Sequence, residues 1–278
     1  MEELVIIHKP IIDLATTFDI IEGAPNRTLE SAILIMGSKK FRRMPITKLS
    51  RIKGILTVTD IIRAISEVGL PHAYQELISD WMTENPKTVN GNITIKEASE
   101  LMREGHFGSL LIVDDTDTEI LKGIITERDI LRHFQTKEWG NRKISEIDKS
   151  LIETGLIKVN AKVSLEEAIR KMNDHHVHRV LLTNNEGKLT GILTANDITR
   201  LSSKEREEIN ENPNFLKSIT ADFVGTNNPI TCDLDGSIGA AIEIMCDKNI
   251  GALPVLSNGE VIGVLSERTV VHLISLDF

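Results

Sequence analysis

Residues 54–60 read GILTVTD, and the first four of them return along the chain in nearly the same form. The later copies are GIIT at 123–126, GILT at 191–194 and GVLS at 263–266. Upstream of each copy an alanine is followed four residues later by a methionine, in the pairs Ala32/Met36, Ala98/Met102, Ala168/Met172 and Ala241/Met245. Recurrence at steps of about 70 residues indicates four copies of one structural unit.

Each copy has the same predicted order of elements, helix, strand, strand, helix. A hydroxyl residue stands four positions before each alanine, where a helix needs its N-cap, at Thr28, Thr94, Ser164 and Ser237. In repeats two and three, Glu97 and Glu167 complete a capping box. Apolar residues at helical spacing follow, then two short β-rich runs typical of a hairpin. The second helix opens at Thr57, Thr126, Thr194 or Ser266, and a short leading strand is expected around residues 87–89.

One repeat of about 65 residues can cover only one face of its small sheet, so the repeats are expected to form pairs. We place the repeats at 1–72, 73–140, 141–204 and 205–278. Consecutive pairing then predicts one module at 1–140 and a second at 141–278, joined through the polar stretch 134–142. The charged segment 203–214 is expected to be either an exposed helix or a loop.

The composition excludes several classes of protein. The 278 residues include 32 Lys and Arg against 41 Asp and Glu, a net charge of −9, with only 4% aromatics. Extended nucleic-acid binding needs a basic face and aromatic platforms, so only a local basic patch is compatible with these numbers. Two cysteines, Cys232 and Cys246, cannot form a disulfide framework. The sequence has no signal peptide pattern and no run of 18 apolar residues, which predicts a cytoplasmic protein without membrane association.

Three of the second helices begin with the same hydroxyl–acid spacing, found in Thr57/Asp60, Thr126/Asp129 and Thr194/Asp197. Repeat four has Ser266 with Thr269 instead. Two interpretations are open. The pairs can be capping boxes that only stabilise the helix. Alternatively, the amides of the helix N-terminus attract a phosphate and the fixed carboxylate accepts the hydroxyls of a ribose.

Basic residues occur at one strand position of the odd repeats only. Repeats one and three have Arg42-Arg43 and His178-Arg179, where repeats two and four have Gly108-Ser109 and Gly251-Ala252. Unpaired charge beside an apolar strand is costly, so these side chains point to a bound anion. The alternative is that they extend to solvent or pair with acidic side chains.

The capped helix with Ala-x-x-x-Met, the strand and Gly-Ile-Leu-Thr-x-x-Asp together resemble the CBS domain, first recognised in cystathionine β-synthase. The segments FRRMPI at 41–46 and VHRV at 177–180 are similar to the gamma regulatory subunit of AMP-activated protein kinase and to archaeal single-chain relatives. The resemblance implies an α/β (α+β sandwich) fold of four β-α-β-β-α repeats, paired into two Bateman modules with pseudo-symmetry.

The same resemblance implies that AMP, ADP or ATP binds as a ligand, rather than as a catalytic cofactor, in clefts between paired repeats. By this analogy Asp60, Asp129 and Asp197 take ribose hydroxyls, and Thr57, Thr126 and Thr194 lie near ribose or phosphate. The phosphates would meet Arg42, Arg43, His178 and Arg179, with Arg128 as a further candidate. Repeat four lacks the acid and is expected to bind ribose poorly, although Ser266 and Arg268 remain candidates for a phosphate.

Other classes of function are less favoured by the sequence. An enzyme would need an acid/base pair, an activated nucleophile or a phosphate loop, and none of these motifs is visible. His175, His176 and His178 lack the cysteine cluster or regular spacing of a zinc site, so no metal is expected. The main rival is a scaffold that docks onto a kinase, a transporter or a ribosome and whose nucleotide sites are partly vestigial. A homodimer is also compatible with the sequence.

Overall fold

The computed structural model describes residues 6–114, 119–134, 142–148, 151–152 and 154–277. The chain forms two compact units, each assembled from separated segments. The first, here called unit 1/3, comprises Ile21–Pro86 and Leu156–Pro229 and so contains repeats one and three. The other, unit 2/4, comprises the described parts of Met1–Ile20, Lys87–Gly155 and Ile230–Phe278 and contains repeats two and four.

The strands form a small sheet in each repeat. In chain order they are β1 (Arg43–Lys48), β2 (Arg51–Thr57), β3 (Thr83–Glu84), β4 (Thr88–Asn90), β5 (Ser109–Val113), β6 (Leu121–Thr126), β7 (Lys158–Asn160), β8 (Arg179–Thr183), β9 (Leu189–Thr194), β10 (Thr226–Asn227), β11 (Cys232–Asp233), β12 (Ala252–Ser257) and β13 (Glu260–Ser266). Unit 1/3 holds the sheets β1-β2-β3 and β10-β9-β8-β7. Unit 2/4 holds β4-β5-β6 and β11-β12-β13.

The centre of every sheet is the predicted antiparallel hairpin, formed by β1/β2, β5/β6, β8/β9 and β12/β13. In repeats two to four a short strand pairs in parallel with the first hairpin strand, as β4 with β5, β7 with β8 and β11 with β12. Repeat one has a single parallel bridge, Gly23 to Ile46, in the corresponding place. The leading strand expected around residues 87–89 is thus confirmed as β4.

The helices alternate with these hairpins. In chain order they are α1 (Leu29–Lys39), α2 (Val58–Val68), α3 (Ile78–Trp81), α4 (Ile95–Glu104), α5 (Glu127–His133), α6 (Leu165–Asp174), α7 (Ala195–Lys204), α8 (Arg206–Glu211), α9 (Phe215–Ser218), α10 (Ala221–Val224), α11 (Ile238–Asp247) and α12 (Glu267–Asp277). Segment 203–214 is mostly helical, because it contains the end of α7 and the whole of α8. Most of the predicted connection 134–142 lies outside the described residues.

The predicted N-caps of the first helices all occupy the N-cap position, but their hydrogen bonds differ. Thr94 and Glu97 form the complete reciprocal capping box. The Ser164 hydroxyl accepts a hydrogen bond from the Glu167 backbone N–H at 3.2 Å. The Thr28 side chain makes no cap hydrogen bond; the backbone N–H of Leu29, the first residue of α1, donates instead to the Glu76 carbonyl at 2.8 Å. A cap from elsewhere in the same unit therefore replaces the local one at α1.

The apolar face of each first helix is covered by a helix from the other repeat of its unit. In unit 1/3, α1 packs against α7 and α2 packs against α6; in unit 2/4, α4 packs against α12 and α5 against α11. None of the alanine and methionine side chains that define the repeat is more than 1% exposed. Each unit therefore has its own hydrophobic core, to which both of its repeats contribute.

The compact units are a different grouping of the repeats from the consecutive modules expected at 1–140 and 141–278, and those modules stay a prediction. The compact units group repeat one with repeat three and repeat two with repeat four. Contiguity along the chain was the basis of the expectation, yet the pairing of these helices depends on which apolar helix faces meet. The four faces have nearly the same Ala-x-x-x-Met pattern, so the sequence pattern alone does not select the partner.

The closest approach between helices in unit 1/3 is made by Gly37 of α1. A Cβ atom added there would lie 2.5 Å from Cβ of Ser203 and 3.0 Å from the carbonyl oxygen of Thr199, both on α7. Nearby, the buried Tyr74 hydroxyl donates to the Ser202 carbonyl at 2.7 Å, and the Arg206 guanidinium donates to the Glu30 carboxylate. Absence of a side chain at position 37 thus sets the separation of α1 and α7.

Gly37→Ala is expected to destabilise the protein by about 1 to 3 kcal/mol through overpacking, although alanine is the better helix former. Chemical denaturation measures the free energy of unfolding. Gly155→Ala is the control, since a Cβ at position 155 has nothing within 4 Å. Ser203→Gly removes the side chain that the new methyl group meets, so the double variant Gly37→Ala/Ser203→Gly should recover part of the loss. Strict additivity of the two substitutions would contradict the contact.

Candidate functional site

The hydroxyl–acid pairs of the first three repeats form capping boxes at the start of α2, α5 and α7. In α2 the Thr57 backbone N–H and hydroxyl donate to Asp60 Oδ2 at 2.8 and 2.7 Å. The corresponding distances are 2.9 and 2.7 Å for Thr126 and Asp129, and 3.0 and 2.7 Å for Thr194 and Asp197. The capping interpretation is therefore confirmed as geometry in all three repeats, with one carboxylate oxygen directed at the helix itself.

The second oxygen of the carboxylate contacts an arginine three residues further along the same helix in repeats one and three. Asp60 Oδ1 lies 3.4 Å from the Arg63 guanidinium, and Asp197 Oδ1 lies 3.0 Å from that of Arg200. The aspartates are buried, whereas the arginine side chains are about half exposed. Arg63 also donates to the Trp81 carbonyl at 2.7 Å and lies over the Trp81 ring, so its position is fixed. Because the exposed Arg200 can turn to solvent at little cost, Oδ1 of Asp197 is the oxygen that can exchange its partner for a ligand hydroxyl.

The acids of two similar capping boxes have pKa values shifted in opposite directions, because one acid is buried and the other is exposed. Burial raises the pKa of the Asp60 carboxyl above its usual 3.8, against the lowering effects of the Thr57 hydrogen bonds and of Arg63. Glu97 is the acid of the exposed capping box of α4, and the Thr94 backbone N–H, followed by its hydroxyl, lowers the pKa of that carboxyl below its usual 4.5. Burial therefore disfavours the charged form of Asp60, whereas the hydrogen bonds from Thr94 favour the charged form of Glu97.

The basic pairs of repeats one and three lie beside these helix N-termini. In the hairpin registers Arg43 is opposite Thr57 and Arg179 is opposite Thr194. The carbonyls of Arg42 and His178 accept hydrogen bonds from the first residues of α2 and α7 at 3.0 and 2.9 Å. Each basic pair therefore adjoins the hydroxyl–acid pair of its own repeat, and unit 1/3 contains both basic pairs.

The corresponding positions of unit 2/4 have the same backbone geometry but different side chains. Ser109 is opposite Thr126 and Ala252 is opposite Ser266. The carbonyls of Gly108 and Gly251 accept from the first residues of α5 and α12 at 3.2 and 3.1 Å. One hairpin register thus presents basic side chains in unit 1/3 and small residues in unit 2/4.

The predicted candidate Arg128 belongs to unit 2/4, whereas both basic pairs belong to unit 1/3. Its guanidinium donates to the carboxylate of Glu267 and to the side chain of Asn249, and the arginine side chain is only 17% exposed. In repeat four, Ser266 and Thr269 contact each other through their hydroxyls at 3.2 Å. Arg268 donates to Glu127 at 3.2 Å.

Sequence reasoning missed Glu127 and Glu267, the buried partners of these arginines. They are the first helical residues of α5 and α12 and are 5% and 2% exposed. The shared Glu-Arg dipeptide at 127–128 and 267–268 was the available signal. Its meaning depends on a contact between repeats two and four, which the spacing within one repeat does not show.

The described residues were also searched for a metal site and for a membrane-spanning helix. They contain no cluster of three or more His, Cys, Asp or Glu side chains able to hold a metal ion. None of the helices in the described part of the chain is long and apolar enough to cross a membrane.

Comparison with known proteins agrees with the repeat structure. The family model of the CBS domain matches residues 13–67, 78–136, 145–204 and 221–276. Protein MJ1225 of Methanocaldococcus jannaschii is 26% identical to this chain over an aligned length of 278 residues. The alignment covers 94% of this chain and 97% of that protein. YhcV of Bacillus subtilis, a CBS domain-containing protein, is 33% identical over 122 residues, or 44% of this chain and 81% of YhcV.

Solved structures of similar proteins show the same fold. The crystal structure of MJ1225, described as a candidate archaeal homologue of g-AMPK, gives a TM-score of 0.83 at 24% identity and covers 95% of this chain and 99% of its own. An uncharacterised protein from Pyrococcus horikoshii gives a TM-score of 0.63 at 17% identity, with the same two coverages.

The stability contributions of Asp60 and Glu97 are expected to change with pH in opposite directions. Because its folded-state pKa is raised, Asp60 holds its proton more tightly in the folded chain, so its contribution falls as the pH rises from 3.8. Because its folded-state pKa is lowered, Glu97 contributes fully above 4.5 and loses this contribution as the pH falls through the folded pKa.

Asp60→Asn and Glu97→Gln remove the titrating groups. The free energy of unfolding, measured for the wild type and both variants from acidic to neutral pH, gives the two differences. The wild-type advantage over Asp60→Asn should shrink as the pH rises, and the advantage over Glu97→Gln should grow. Slopes of the same sign would show that burial does not separate the two capping boxes.

Proposed function

This chain belongs to the CBS-domain family, whose model matches more than half of its residues, and we propose that it is a regulatory protein that binds AMP, ADP or ATP. The observation that carries the proposal is the position of each basic pair beside a buried aspartate at a helix N-terminus in unit 1/3. Within one repeat these groups match the two polar parts of a nucleotide, the ribose and the phosphate. No chemical step is assigned to them.

The ribose is assigned to Asp60, Asp129 and Asp197. The capping box fixes each carboxylate through Oδ2, so the group is oriented before a ligand arrives. A carboxylate accepts hydrogen bonds from two neighbouring hydroxyls, which is the geometry of a ribose. In repeat three, Oδ1 would exchange the exposed Arg200 for the ligand. Thr57, Thr126 and Thr194 then lie at the edge of the sugar.

The phosphate is assigned to the basic pairs Arg42-Arg43 and His178-Arg179. Free amides and the helix dipole favour an anion at the N-termini of α2 and α7, and the adjoining basic side chains add charge. The Arg179 guanidinium contacts the His178 ring nitrogen.

Regulation would arise by population shift. A nucleotide that binds one arrangement of the repeats more tightly than another moves the equilibrium only as far as that difference in affinity allows. Because no catalytic group is assigned to this chain, the output would pass through a partner, such as a kinase, a transporter or a ribosome.

A docking scaffold with vestigial nucleotide sites is the second candidate. It is favoured by the hydrogen bonds that satisfy Oδ2 of all three aspartates without any ligand. Calorimetry and thermal shift with AMP, ADP, ATP and S-adenosylmethionine separate the two candidates. If none of the four ligands at millimolar concentration gives a heat of binding or raises the melting temperature, the docking scaffold is the function that remains. Mass spectrometry of small molecules released from the purified protein identifies any occupant directly.

Asp60→Ala, Asp129→Ala and Asp197→Ala are each expected to weaken nucleotide binding at their own site. The loss should be about ten- to a hundred-fold, or about 1.5 to 3 kcal/mol, because two hydrogen bonds to a charged group disappear. Calorimetric titration with AMP measures the change. Glu97→Ala is the matched control: it removes another capping-box acid, so it should cost about 1 kcal/mol of stability and leave the affinity unchanged. Thr269→Ala should also be silent in binding.

Arg43→Ala and Arg179→Ala should distinguish the phosphate from the rest of the ligand. Each variant is expected to lower the affinity for AMP by about ten-fold or more, since a charge-assisted hydrogen bond is lost. The affinity for adenosine should stay unchanged. Arg51→Ala is a control with the same change of charge at an exposed position on the same hairpin as Arg43. Equal losses for AMP and adenosine would place the arginines away from the phosphate.

A further inference from the structure

The second helices of a unit contact each other, and in unit 2/4 both of them begin with the dipeptide Glu-Arg. Glu127 and Glu267, the first residues of α5 and α12, are 5% and 2% exposed. Arg268 Nε donates to Glu127 Oε1 at 3.2 Å, and the Arg128 guanidinium donates to the Glu267 carboxylate. Each buried carboxylate is therefore paired with an arginine from the other repeat. These two reciprocal contacts are here called the interrepeat ion pairs.

The two arginines also contact the turn that follows the first helix of the opposite repeat. Arg128 donates to the side chain of Asn249, and Arg268 donates to the His106 carbonyl at 3.4 Å. Asn249 and His106 occupy equivalent places, two residues before Gly251 and Gly108. Each repeat of unit 2/4 therefore recognises the other through the same set of contacts.

The equivalent positions of unit 1/3 have no charged side chain. They are Val58-Thr59 at the start of α2 and Ala195-Asn196 at the start of α7. Val58 and Ala195 are buried, as the two glutamates are, and α2 and α7 also contact each other. The same pair of helix N-termini is thus charged in unit 2/4 and uncharged in unit 1/3.

This difference discriminates between partners that the apolar helix faces do not distinguish, since all four faces have nearly the same Ala-x-x-x-Met pattern. If α5 packed against α2 or α7 instead of α12, Glu127 would be buried near Thr59 or Asn196, without its arginine. A buried carboxylate that loses its partner is strongly destabilising, whereas a complete buried ion pair is little better than a well-packed apolar contact. The ion pairs therefore act mainly against the wrong partner.

We propose that the interrepeat ion pairs select repeat four as the helix-packing partner of repeat two and thereby leave repeat one to pair with repeat three. This selection places Arg42-Arg43 and His178-Arg179 in the same unit. The importance of that placement for nucleotide binding rests on the function proposed above. The selection itself rests only on the contacts and burial of the four charged side chains.

The test gives unit 2/4 the residues of unit 1/3 in the full-length chain. Glu127→Ala/Arg128→Asn copies Ala195-Asn196, and Glu267→Val/Arg268→Thr copies Val58-Thr59. The free energy of unfolding of this quadruple variant should change little, because uncharged residues replace complete ion pairs. Uniqueness of the pairing is what should be lost, since no buried charge then opposes the other partners.

Methionine methyl signals in NMR spectra report the pairing directly. One methionine lies in each packed helix face and is at most 1% exposed, namely Met36, Met102, Met172 and Met245. The wild type should give one signal for each of these residues, and the quadruple variant should give additional signals for them. The control is Asp114→Asn/Lys122→Gln/Glu186→Gln/Lys188→Gln, which removes equally many charges of each sign from two exposed ion pairs within single repeats and should give no additional signals.

One signal for each of the four methionines in a folded quadruple variant would overturn the selection, as would additional signals in the control variant. If the quadruple variant does not fold, Arg268→Glu replaces it, because Arg268 is 40% exposed. This substitution sets two carboxylates against each other and should lower the denaturant concentration at the midpoint of unfolding. Adding Glu127→Arg should recover most of that loss. Effects of the two substitutions that simply add would overturn the proposal.

AMP binding separates failure of this proposal from failure of the proposed function. If the wild type does not bind AMP, the proposed function fails, and the methionine signals still decide the selection. If the wild type binds AMP, the quadruple variant should bind less AMP per chain at saturation, because fewer chains unite repeats one and three. An unchanged stoichiometry together with additional methionine signals would overturn the link between the selection and nucleotide binding.

Discussion

The architecture depends on one constraint. Another element must pack on the apolar face of each first helix. A single repeat has a small sheet and two helices, and its first helix packs only partly on its own hairpin. The second helix of the other repeat in the unit also packs on that first helix, as α7 does on α1 and α12 does on α4. Burial of these alanine and methionine side chains provides the hydrophobic contribution that joins two repeats into one core.

The same packing fixes the polar groups. In every repeat the hairpin register places the first residue of the hairpin opposite the N-cap residue of the second helix. The backbone arrangement is therefore the same in all four repeats, while the side chains at this residue and at the one before it vary. Capping boxes hold the acids in three of these frames. Since the second helices of a unit also contact each other, their first turns come close enough for an arginine of one to hold a glutamate of the other. The two units thus differ in charge because different side chains occupy equivalent positions of the same local backbone arrangement.

Local features of this fold could be predicted from the sequence, because they depend on residues a few positions apart. The four repeats, the hairpins, the leading strand at 88–90 and the hydroxyl–acid caps of the second helices are of this kind. The helix that covers each apolar face could not be predicted, since the four faces look alike. The contacts of Arg128 with Glu267 and of Arg268 with Glu127 join residues about 140 positions apart and were missed for that reason. The N-terminus of α1 shows the same effect, because a backbone contact with Glu76 replaces the expected bond from Thr28.

Alternation of the repeats between the two units has a consequence for the order in which the chain can fold during synthesis. The core of unit 1/3 lacks the cover for α1 until α7 has left the ribosome, although repeat two is complete well before then. Repeat two in turn waits for α12. Contacts of such high sequence separation are slow to form, and the apolar face of a waiting repeat is exposed to solvent in the meantime. Until those contacts form, the exposed faces of early repeats can associate with one another or with other chains.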